Sequence, residues 1–481
     1  YMTYFVGRKN EISDLQRISR KKSASLVVIK GRRRIGKSRL VEEFASKYKF
    51  LRFSGVPPVD GASAQSQREI FAKQLSTQFN LPDLAAKDWD DLFLFLVQKV
   101  QTDRVVILFD EISWMGSKDP NFLGKLKNAW DTGFKNNPEL ILILCGSVST
   151  WIQENIISST AFFGRISLCI TLGELSISES NTFLEHLGFR RSVYEKFKIL
   201  SVLGGVPWYL EQIDPKLSAD ENIQNLCFKK SGMLFDEFNL IFHDLFKSGV
   251  EIYKKIIATL VEGPAELGVI AESVSYAKSG VLSQYLENLI EAAFITRDFT
   301  WIIKDGRISR LSQFRLSDNY LRFYLKYIAK YKNKIIEDDF YDVSISNLPE
   351  WTSVMGLQFE NLVLKNRHVI KRILNLRSED IVADNPFFQR KNTKQQGCQI
   401  DYLLQTRFNT LFVCEIKFSR NEIKSDILAE MKNKLSRLSI PKGFACLPVL
   451  IHVNGIDEHV LDKQYFTEVI DFVELLEDEG R

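Results

Sequence analysis

Residues 31–38, with the sequence GRRRIGKS, have the residue types and the spacing needed to hold phosphate groups. Gly31 and Gly36 allow the backbone N–H groups between them to turn inward around phosphate oxygens. Lys37 would reach the β- and γ-phosphates of ATP, and the Ser38 hydroxyl would bind Mg²⁺. The loop therefore predicts a binding site for ATP and Mg²⁺.

Two acidic residues at the end of an apolar run could complete this site. Asp110 and Glu111 directly follow residues 105–109, which read as a buried strand of the same sheet. Asp110 would hold Mg²⁺ through water, and Glu111 is placed to polarise the attacking water, which makes it the predicted general base. The alternative is a strand that ends in two solvated acids.

Two further polar residues extend the prediction. Ser147 follows the apolar run 140–145, where a polar group would sense the γ-phosphate and orient the water. Arg165 precedes another apolar stretch and could complete the site as an arginine finger. The alternatives are a serine in a strand-end turn and an arginine in a surface salt bridge.

Four residues of the C-terminal third predict a second, separate site. Asp401 lies inside an apolar β segment, where an unpaired carboxylate is costly unless it faces a cleft or a metal. Glu415 and Lys417 share one face of a strand, because positions i and i+2 point the same way. Together they could hold Mg²⁺ or Mn²⁺ and orient a water against a phosphodiester, with Glu360 as a third acid. Alternatively, Lys417 only neutralises Glu415 on a solvated strand.

The elements that must position these residues follow from the apolar pattern. Residues 26–29, 105–109 and 140–145 are continuous apolar runs, which favours a parallel sheet with both faces covered by helices. A helix is predicted from residue 38 to about 49, with its positive N-terminal end at the phosphates. In the C-terminal third, strands are predicted at 400–404 and 411–416, with a helix from about Ser425.

Two short motifs carry a family likeness. Residues 5–11, FVGRKNE, resemble the adenine-side box of AAA+ ATPases, and residues 204–210, GGVPWYL, resemble the GG-x-P-x-Y-L lid motif of the archaeal-type ATPase family, relatives of the STAND and origin-recognition ATPases. The resemblance implies adenine contacts around Val6 and Gly7 and a lid contact near Pro207. The alternative for the second motif is a plain turn between helices.

The resemblance also implies the arrangement of the whole chain. The family typically joins an AAA+ module to a winged helix and a C-terminal domain of the PD-(D/E)xK nuclease superfamily, whose D…E-x-K core is similar to Asp401, Glu415 and Lys417. The expected fold class is α/β, a P-loop AAA+ ATPase with a helical lid, a winged helix and a restriction-endonuclease-like domain. The expected boundaries are an ATPase core at 1–173, lid at 174–247, winged helix at 248–316, helical connector at 317–350, nuclease-like domain at 351–456 and acidic tail at 457–481.

The winged helix is expected to contain three helices, with wing strands at 294–296 and 301–303. In a DNA-binding member its third helix would present five polar residues to a groove, namely Lys278, Ser279, Ser283, Gln284 and Asn288. They are only weakly basic, so a protein contact or a spacer role is the alternative.

Composition limits the function classes. The 481 residues carry 64 basic and 60 acidic side chains, a net charge of +4, so any DNA contact requires local concentration of charge. Six cysteines without close spacing and no signal or membrane segment indicate a cytoplasmic protein.

The leading hypothesis is an ATP-dependent enzyme that acts on DNA, self-associates, and gates or positions a metal-dependent nuclease. The alternative is an ATP switch that binds DNA or a protein through the winged helix and does not cleave. A weaker third hypothesis is an interaction scaffold with vestigial sites.

Overall fold

The computed structural model divides the chain into two compact units, Tyr1–Glu174 and Leu175–Arg481. It describes residues 5–57, 63–85, 87–147, 149–246, 249–276, 280–340, 343–393 and 395–478. Each unit contains one five-stranded sheet, and the second unit also contains a two-stranded sheet.

The first unit alternates helices with strands. In chain order its elements are α1 (Lys9–Ser19), β1 (Ser25–Lys30), α2 (Lys37–Ala45), β2 (Lys49–Ser54), α3 (Ala64–Phe79), α4 (Trp89–Lys99), β3 (Val105–Asp110), α5 (Ile112–Met115), α6 (Phe122–Thr132), β4 (Ile141–Gly146), α7 (Ser149–Ile152) and β5 (Ile166–Thr171).

The five strands form one parallel sheet in the order β2-β3-β4-β1-β5. Every residue of β1, β3 and β4 is buried. Alternate residues of these strands belong to two different apolar clusters, so helices cover both faces of the sheet. This arrangement confirms the predicted parallel α/β sheet and brings the ends of β1, β3 and β4 to one edge.

The helix after the phosphate loop is shorter than expected. It was predicted to run to about residue 49, but α2 ends at Ala45 and Lys49 already begins β2. The reason is that Leu51 and Phe53 are needed in the core, where they are 5% and 0% exposed in the edge strand beside β3.

The second unit begins with short helices and ends with a mixed sheet. In chain order its elements are α8 (Ile177–His186), α9 (Val193–Leu203), α10 (Pro207–Glu211), α11 (Ala219–Cys227), α12 (Glu237–Leu245), α13 (Val250–Thr259), α14 (Leu267–Ser273), α15 (Gly280–Glu291), β6 (Ile295–Trp301), β7 (Ile308–Leu316), α16 (Asn319–Phe323), α17 (Lys332–Ile336), α18 (Trp351–Lys365), α19 (Arg367–Ile373), β8 (Ile381–Gln389), β9 (Cys398–Thr406), β10 (Thr410–Lys417), α20 (Asp426–Arg437), β11 (Ala445–His452), α21 (Glu458–Asp462), β12 (Glu468–Asp471) and α22 (Phe472–Leu476).

The second sheet has the order β12-β11-β10-β9-β8. Strands β8, β9 and β10 pair antiparallel, whereas β10, β11 and β12 pair parallel. The predicted strands at 400–404 and 411–416 lie within β9 and β10, and the helix expected from Ser425 is α20. Two adjacent strands thus carry Asp401 and Glu415.

The two-stranded hairpin β6–β7 differs from the expected wing. Residues 301–303 were predicted as a strand, but β6 ends at Trp301 and the chain turns through residues 302–307, where Gly306 has φ +73°. The main-chain N–H of Ile302 donates to the Arg307 carbonyl and closes this turn. The returning strand is therefore β7.

The candidate recognition residues of the third helix are only partly described. Ser283, Gln284 and Asn288 lie on α15, where the Asn288 amide donates to the Tyr253 hydroxyl at 2.6 Å. Lys278 and Ser279 lie outside the described residues.

Residues 457–481 are not simply an acidic tail. Their described part includes α21, β12 and α22, and β12 is a strand of the second sheet. Ile470, Phe472 and Leu475 are fully buried, which explains how a segment rich in acids is recruited to the core.

Within the described chain no helix is long and apolar enough to cross a membrane.

Candidate functional site

The phosphate loop joins β1 to α2 and depends on two glycines. Gly31 has φ +156°, and a Cβ there would lie 2.5 Å from the Leu172 carbonyl oxygen. Gly36 has φ +91° immediately before α2. A side chain at either position would therefore strain the loop.

Lys37 is folded back onto the loop that it belongs to. Its ammonium nitrogen donates to the carbonyl oxygens of Gly31 and Arg32, both at 2.9 Å, and only 5% of the residue is exposed. Burial lowers the Lys37 pKa, although Glu111 and Asp110 oppose the shift. These two carbonyl oxygens accept the hydrogen bonds that Lys37 would donate to phosphate oxygens if ATP were bound.

Asp110 lies at the tip of β3 and accepts three hydrogen bonds. The Ser38 hydroxyl and Arg52 Nη2 both donate to its Oδ2 at 2.7 Å, and the Glu111 N–H donates to its Oδ1 at 3.1 Å. Ser38 and Asp110, which lie 72 positions apart in the sequence, are thus in direct contact.

Arg52 was missed by the sequence reasoning. It lies on β2, and besides Asp110 it contacts Glu42 of α2, whose Oε1 accepts from Nη1 at 2.7 Å. The only local signal is one arginine between the apolar residues Leu51 and Phe53, which does not identify the partner.

Glu111 and Ser147 contact each other across the ends of β3 and β4. Ser147 Oγ donates to Glu111 Oε1 at 2.6 Å, and its main-chain N–H donates to Oε2 at 3.2 Å. Glu111 has φ +51°, and this left-handed backbone turns the chain from β3 into α5. The predicted base and the predicted sensor therefore form one hydrogen-bonded pair.

Residues near the start of the chain are attached to the same loop. Gly7 has φ +72° and Val6 is partly buried. The next residue, Arg8, donates through Nη2 to the Ile35 carbonyl at 3.1 Å and to the Gly173 carbonyl at 2.7 Å. The predicted adenine-side segment is thus fixed to the phosphate loop.

Arg165 forms a bidentate ion pair within the first unit. Its Nε and Nη2 donate to the two carboxylate oxygens of Asp131 on α6, at 2.9 and 2.8 Å. The side-chain hydrogen bond from Arg165, with a smaller contribution from Lys127, lowers the Asp131 pKa to about 2. The arginine that was predicted to act as a finger is therefore held in a salt bridge.

Pro207, the predicted lid residue, is the first residue of α10 in the second unit. The turn before it contains Gly204, with φ +62°, and Gly205, where an added Cβ would collide with the Leu175 carbonyl. Both glycines are therefore required by the path of the chain between α9 and α10.

The acid cluster of the second unit is formed by α18, β9 and β10. Asp401 Oδ2 accepts from the Ile416 N–H at 2.8 Å, which fixes its carboxylate beside the strand of Glu415. Lys434 of α20 donates to Glu415 Oε2 and lies 3.7 Å from Asp401 Oδ1. Because one ammonium group contacts both carboxylates, their oxygens lie within the ~8 Å that allows a shared ion.

The motif lysine has a different partner. Lys417 Nζ donates to Glu430 of α20 at 2.6 Å. Glu430 and Lys434 lie four residues apart, one turn along the helix, so α20 supplies an acid to Lys417 and a base to Glu415. Sequence reasoning missed Lys434, and the spacing of Glu430 and Lys434 was the available signal.

Two glutamates of this cluster, Glu360 and Glu415, hold their protons more tightly than usual. Burial raises the pKa of Glu360 to about 8, with a further contribution from Asp401 that Arg315 and Arg322 oppose. Burial and Asp401 likewise raise the pKa of Glu415 to about 7. Burial lowers the Lys434 pKa, but the carboxylates outweigh it and the net shift is upward.

A cavity of about 20 Å³, enough for one water, is lined in part by Glu360, Asp401 and Arg315. Arg315 is itself paired with Asp298 at 2.8 Å. In the part of the chain that the structure describes, no group of three His, Cys, Asp or Glu side chains is arranged to hold a metal ion. Glu360 and Asp401 thus line one cavity, and Lys434 contacts both Asp401 and Glu415.

Comparison with known proteins relates the residues of the first site to a family of ATPases. Residues 5–213 match the family described as an ATPase domain predominantly from Archaea. An uncharacterized protein of Methanocaldococcus jannaschii is 25% identical over 359 residues, which are 74% of this chain and 76% of the relative.

Among solved structures, the Walker-type ATPase of Pyrococcus abyssi has a TM-score of 0.47 and 18% identity, covering 67% of this chain and 96% of that one. The ORC2 protein of Aeropyrum pernix has a TM-score of 0.41 and 16% identity, covering 70% and 97%. The family match and the site agree, because the phosphate loop and the contact between Ser38 and Asp110 lie within the matched residues 5–213.

Proposed function

We propose that the chain is an ATP-dependent protein acting on DNA, in which the first unit hydrolyses ATP and the second unit carries a PD-(D/E)xK-type nuclease site. The observation that carries the first part is the joining of Ser38, Asp110, Glu111 and Ser147 at one edge of the parallel sheet.

In this proposal each residue of the first site has one role. The loop N–H groups and Lys37 bind the phosphates, while Ser38 and Asp110 hold Mg²⁺, which would neutralise phosphate charge. Glu111 accepts the proton of the attacking water, and Ser147 orients the Glu111 carboxylate. Val6 and Gly7 would contact adenine, and Pro207 would contribute a lid contact.

The support for the nuclease-type site is the order of elements around its acids. A helix carrying Glu360 precedes three antiparallel strands, and Asp401 and Glu415 lie on neighbouring strands with their carboxylates converging. These oxygen donors suit Mg²⁺ or Mn²⁺, which would supply a more acidic bound water. DNA as the substrate rests on the resemblance of the D…E-x-K pattern.

The alternative function, a switch that binds DNA or a protein partner without cleaving, has its own support. Lys434 already neutralises Glu415 and approaches Asp401, and Lys417 is paired with Glu430. A cluster with internal counter-charges can be stable without a metal.

The experiment that separates the two functions is DNA cleavage with Mg²⁺ or Mn²⁺, in the presence and absence of ATP. We expect cleavage that is lost in Asp401→Ala and retained in Asp14→Ala, a variant at an exposed acid of α1. If no DNA or RNA is cut while ATP is hydrolysed, the switch function is favoured.

We also propose that the ATPase works as a homo-oligomer in which Arg165 leaves Asp131 and reaches a neighbouring copy. A mixture of Arg165→Ala with Lys37→Ala should then recover activity that neither variant has alone. A monomeric wild type whose specific activity is independent of concentration would contradict this.

A further inference from the structure

We propose that the Lys434 ammonium group neutralises Asp401 and Glu415 when no metal is bound, and that a divalent cation binds to these carboxylates by displacing it. The inference rests on the proposed nuclease-type function, because it concerns how the same carboxylates are filled.

The first observation is that a single ammonium group contacts two largely buried carboxylates. Lys434 donates to Glu415 Oε2 and lies 3.7 Å from Asp401 Oδ1. The side chains of Glu415 and Asp401 are 10% and 12% exposed, and that of Lys434 is 24% exposed. Two carboxylates with so little exposure to solvent need a counter-charge, and Lys434 supplies it.

The second observation is that the motif lysine does not fill this role. Lys417 donates to Glu430 at 2.6 Å and is 36% exposed. Glu430 and Lys434 lie one turn apart on α20 and form two ion pairs with β10. Glu430 pairs with Lys417, and Lys434 pairs with Glu415. The cation at the acid cluster therefore comes from α20.

A metal ion and the Lys434 ammonium group cannot both contact Asp401 and Glu415 without strong repulsion between their positive charges. An ion bonded at ~2.1 Å to Asp401 and Glu415 would lie only a few ångströms from the ammonium nitrogen, and like charges at that distance repel strongly. Lysine has a long flexible stem and strong hydration, so it can swing into water. The cluster would thus exist in a lysine-filled state and a metal-filled state.

The first test measures Mn²⁺ binding to the full chain by titration calorimetry, taking as the site signal the part that Asp401→Asn abolishes. We expect Lys434→Met to bind Mn²⁺ more tightly, because the competing ammonium group is removed. The expected gain is about 10–100-fold, the same magnitude as the loss that follows removal of a supporting neighbour of a metal ligand. Lys432→Met, on the exposed face of α20, should leave the affinity unchanged.

The second test uses the wild type and does not depend on folding of a variant. Saturating Mn²⁺ should increase acetylation of the Lys434 side chain by an amine-reactive reagent, read by mass spectrometry, because the displaced amine reaches water. Lys432 in the same digest should not change.

The outcomes separate the two proposals. If Mn²⁺ binding depends on Asp401, but Lys434→Met does not tighten it or Lys434 reactivity does not rise, the displacement is wrong while the metal site stands. If Lys434→Met fails to fold, the reactivity measurement decides alone. If no variant shows Asp401-dependent Mn²⁺ binding, both the displacement and the nuclease-type function fail.

Discussion

At the scale of single residues, the proposed general base Glu111 is already hydrogen-bonded. Glu111 accepts two hydrogen bonds from Ser147, one from the hydroxyl and one from the main chain. A water that approaches the γ-phosphate must therefore share the carboxylate with Ser147. Such an arrangement would orient the proposed base.

We predict that Glu111→Gln retains ATP binding and loses hydrolysis by ~10²–10⁴-fold, because shape is kept while proton acceptance is removed. Fluorescent-nucleotide binding and phosphate release measure the two properties separately. Lys37→Ala is the matched control and should lose binding as well, since it removes the cation of the phosphate loop. Wild-type turnover in Glu111→Gln would exclude it as the base.

At the scale of elements, long side chains connect segments that are distant in sequence. Arg52 ties β2 to β3 and α2, Arg165 ties the segment before β5 to α6, and Lys434 ties α20 to β9 and β10. Each connection places opposite charges in contact between separate elements.

The pair of Arg165 with Asp131 predicts a specific pH dependence. Its folded-state pKa of about 2 lies below the ordinary 3.8, so the pair stabilises above 3.8 and loses that contribution as the pH falls towards 2. Arg165→Met should therefore be less stable than wild type at pH 6, with a difference that shrinks below pH 4. Urea unfolding at several pH values measures this, and Arg104→Met, at the exposed pair with Glu139, is the control. An unchanged difference at low pH would contradict it.

Glu360 on α18 predicts the opposite dependence. Its folded-state pKa of about 8 lies above the ordinary 4.5, so its contribution is full below 4.5 and is lost as the pH rises through 8. Glu360→Gln cannot ionise, and should gain stability over wild type between pH 5 and 9, by up to ~1.4 kcal/mol for each unit of raised pKa.

Urea unfolding again measures the Glu360 effect, with Glu422→Gln at an exposed acid of the same unit as the control. If Glu360→Gln and wild type keep a constant difference over this range, the carboxyl group is not titrating as the structure indicates.

At the scale of the whole molecule, the two chemical sites belong to different compact units. We predict that Asp401→Asn leaves ATP turnover within about twofold of wild type, as expected for substitutions at sites that share no partners. Likewise, Glu111→Gln should leave Asp401-dependent Mn²⁺ binding unchanged. Steady-state ATPase assays and calorimetry test these expectations, and a loss of ATPase activity in Asp401→Asn would show that the sites are coupled.

Much of the first unit could be predicted from the sequence, because its signals are local. The phosphate loop is one continuous motif, and β1, β3 and β4 are unbroken apolar runs, so the parallel sheet followed directly. The placement of Asp110 and Glu111 at a strand tip needed only the end of such a run.

The missed features depend on tertiary contacts. Arg52 and Lys434 look like ordinary surface charges in the sequence, and only the neighbouring elements reveal their carboxylate partners. The strand β12 lies in a segment that the sequence predicts to be an acidic tail, because two of its four residues are acids, although buried Ile470 pairs it with β11. Local composition cannot report which face of such a strand is covered.

The contacts of Arg8 and Arg32 have a mechanical consequence. Arg8 grips the Ile35 carbonyl in the phosphate loop and the Gly173 carbonyl, while the buried Arg32 pairs with Glu174 at 3.8 Å. Residue 174 is where the chain leaves the first unit. A change in the shape of the phosphate loop on nucleotide binding should therefore alter the contacts that hold residues 173 and 174. We expect amide hydrogen exchange at residues 173–175 to differ between the nucleotide-free and the nucleotide-bound protein.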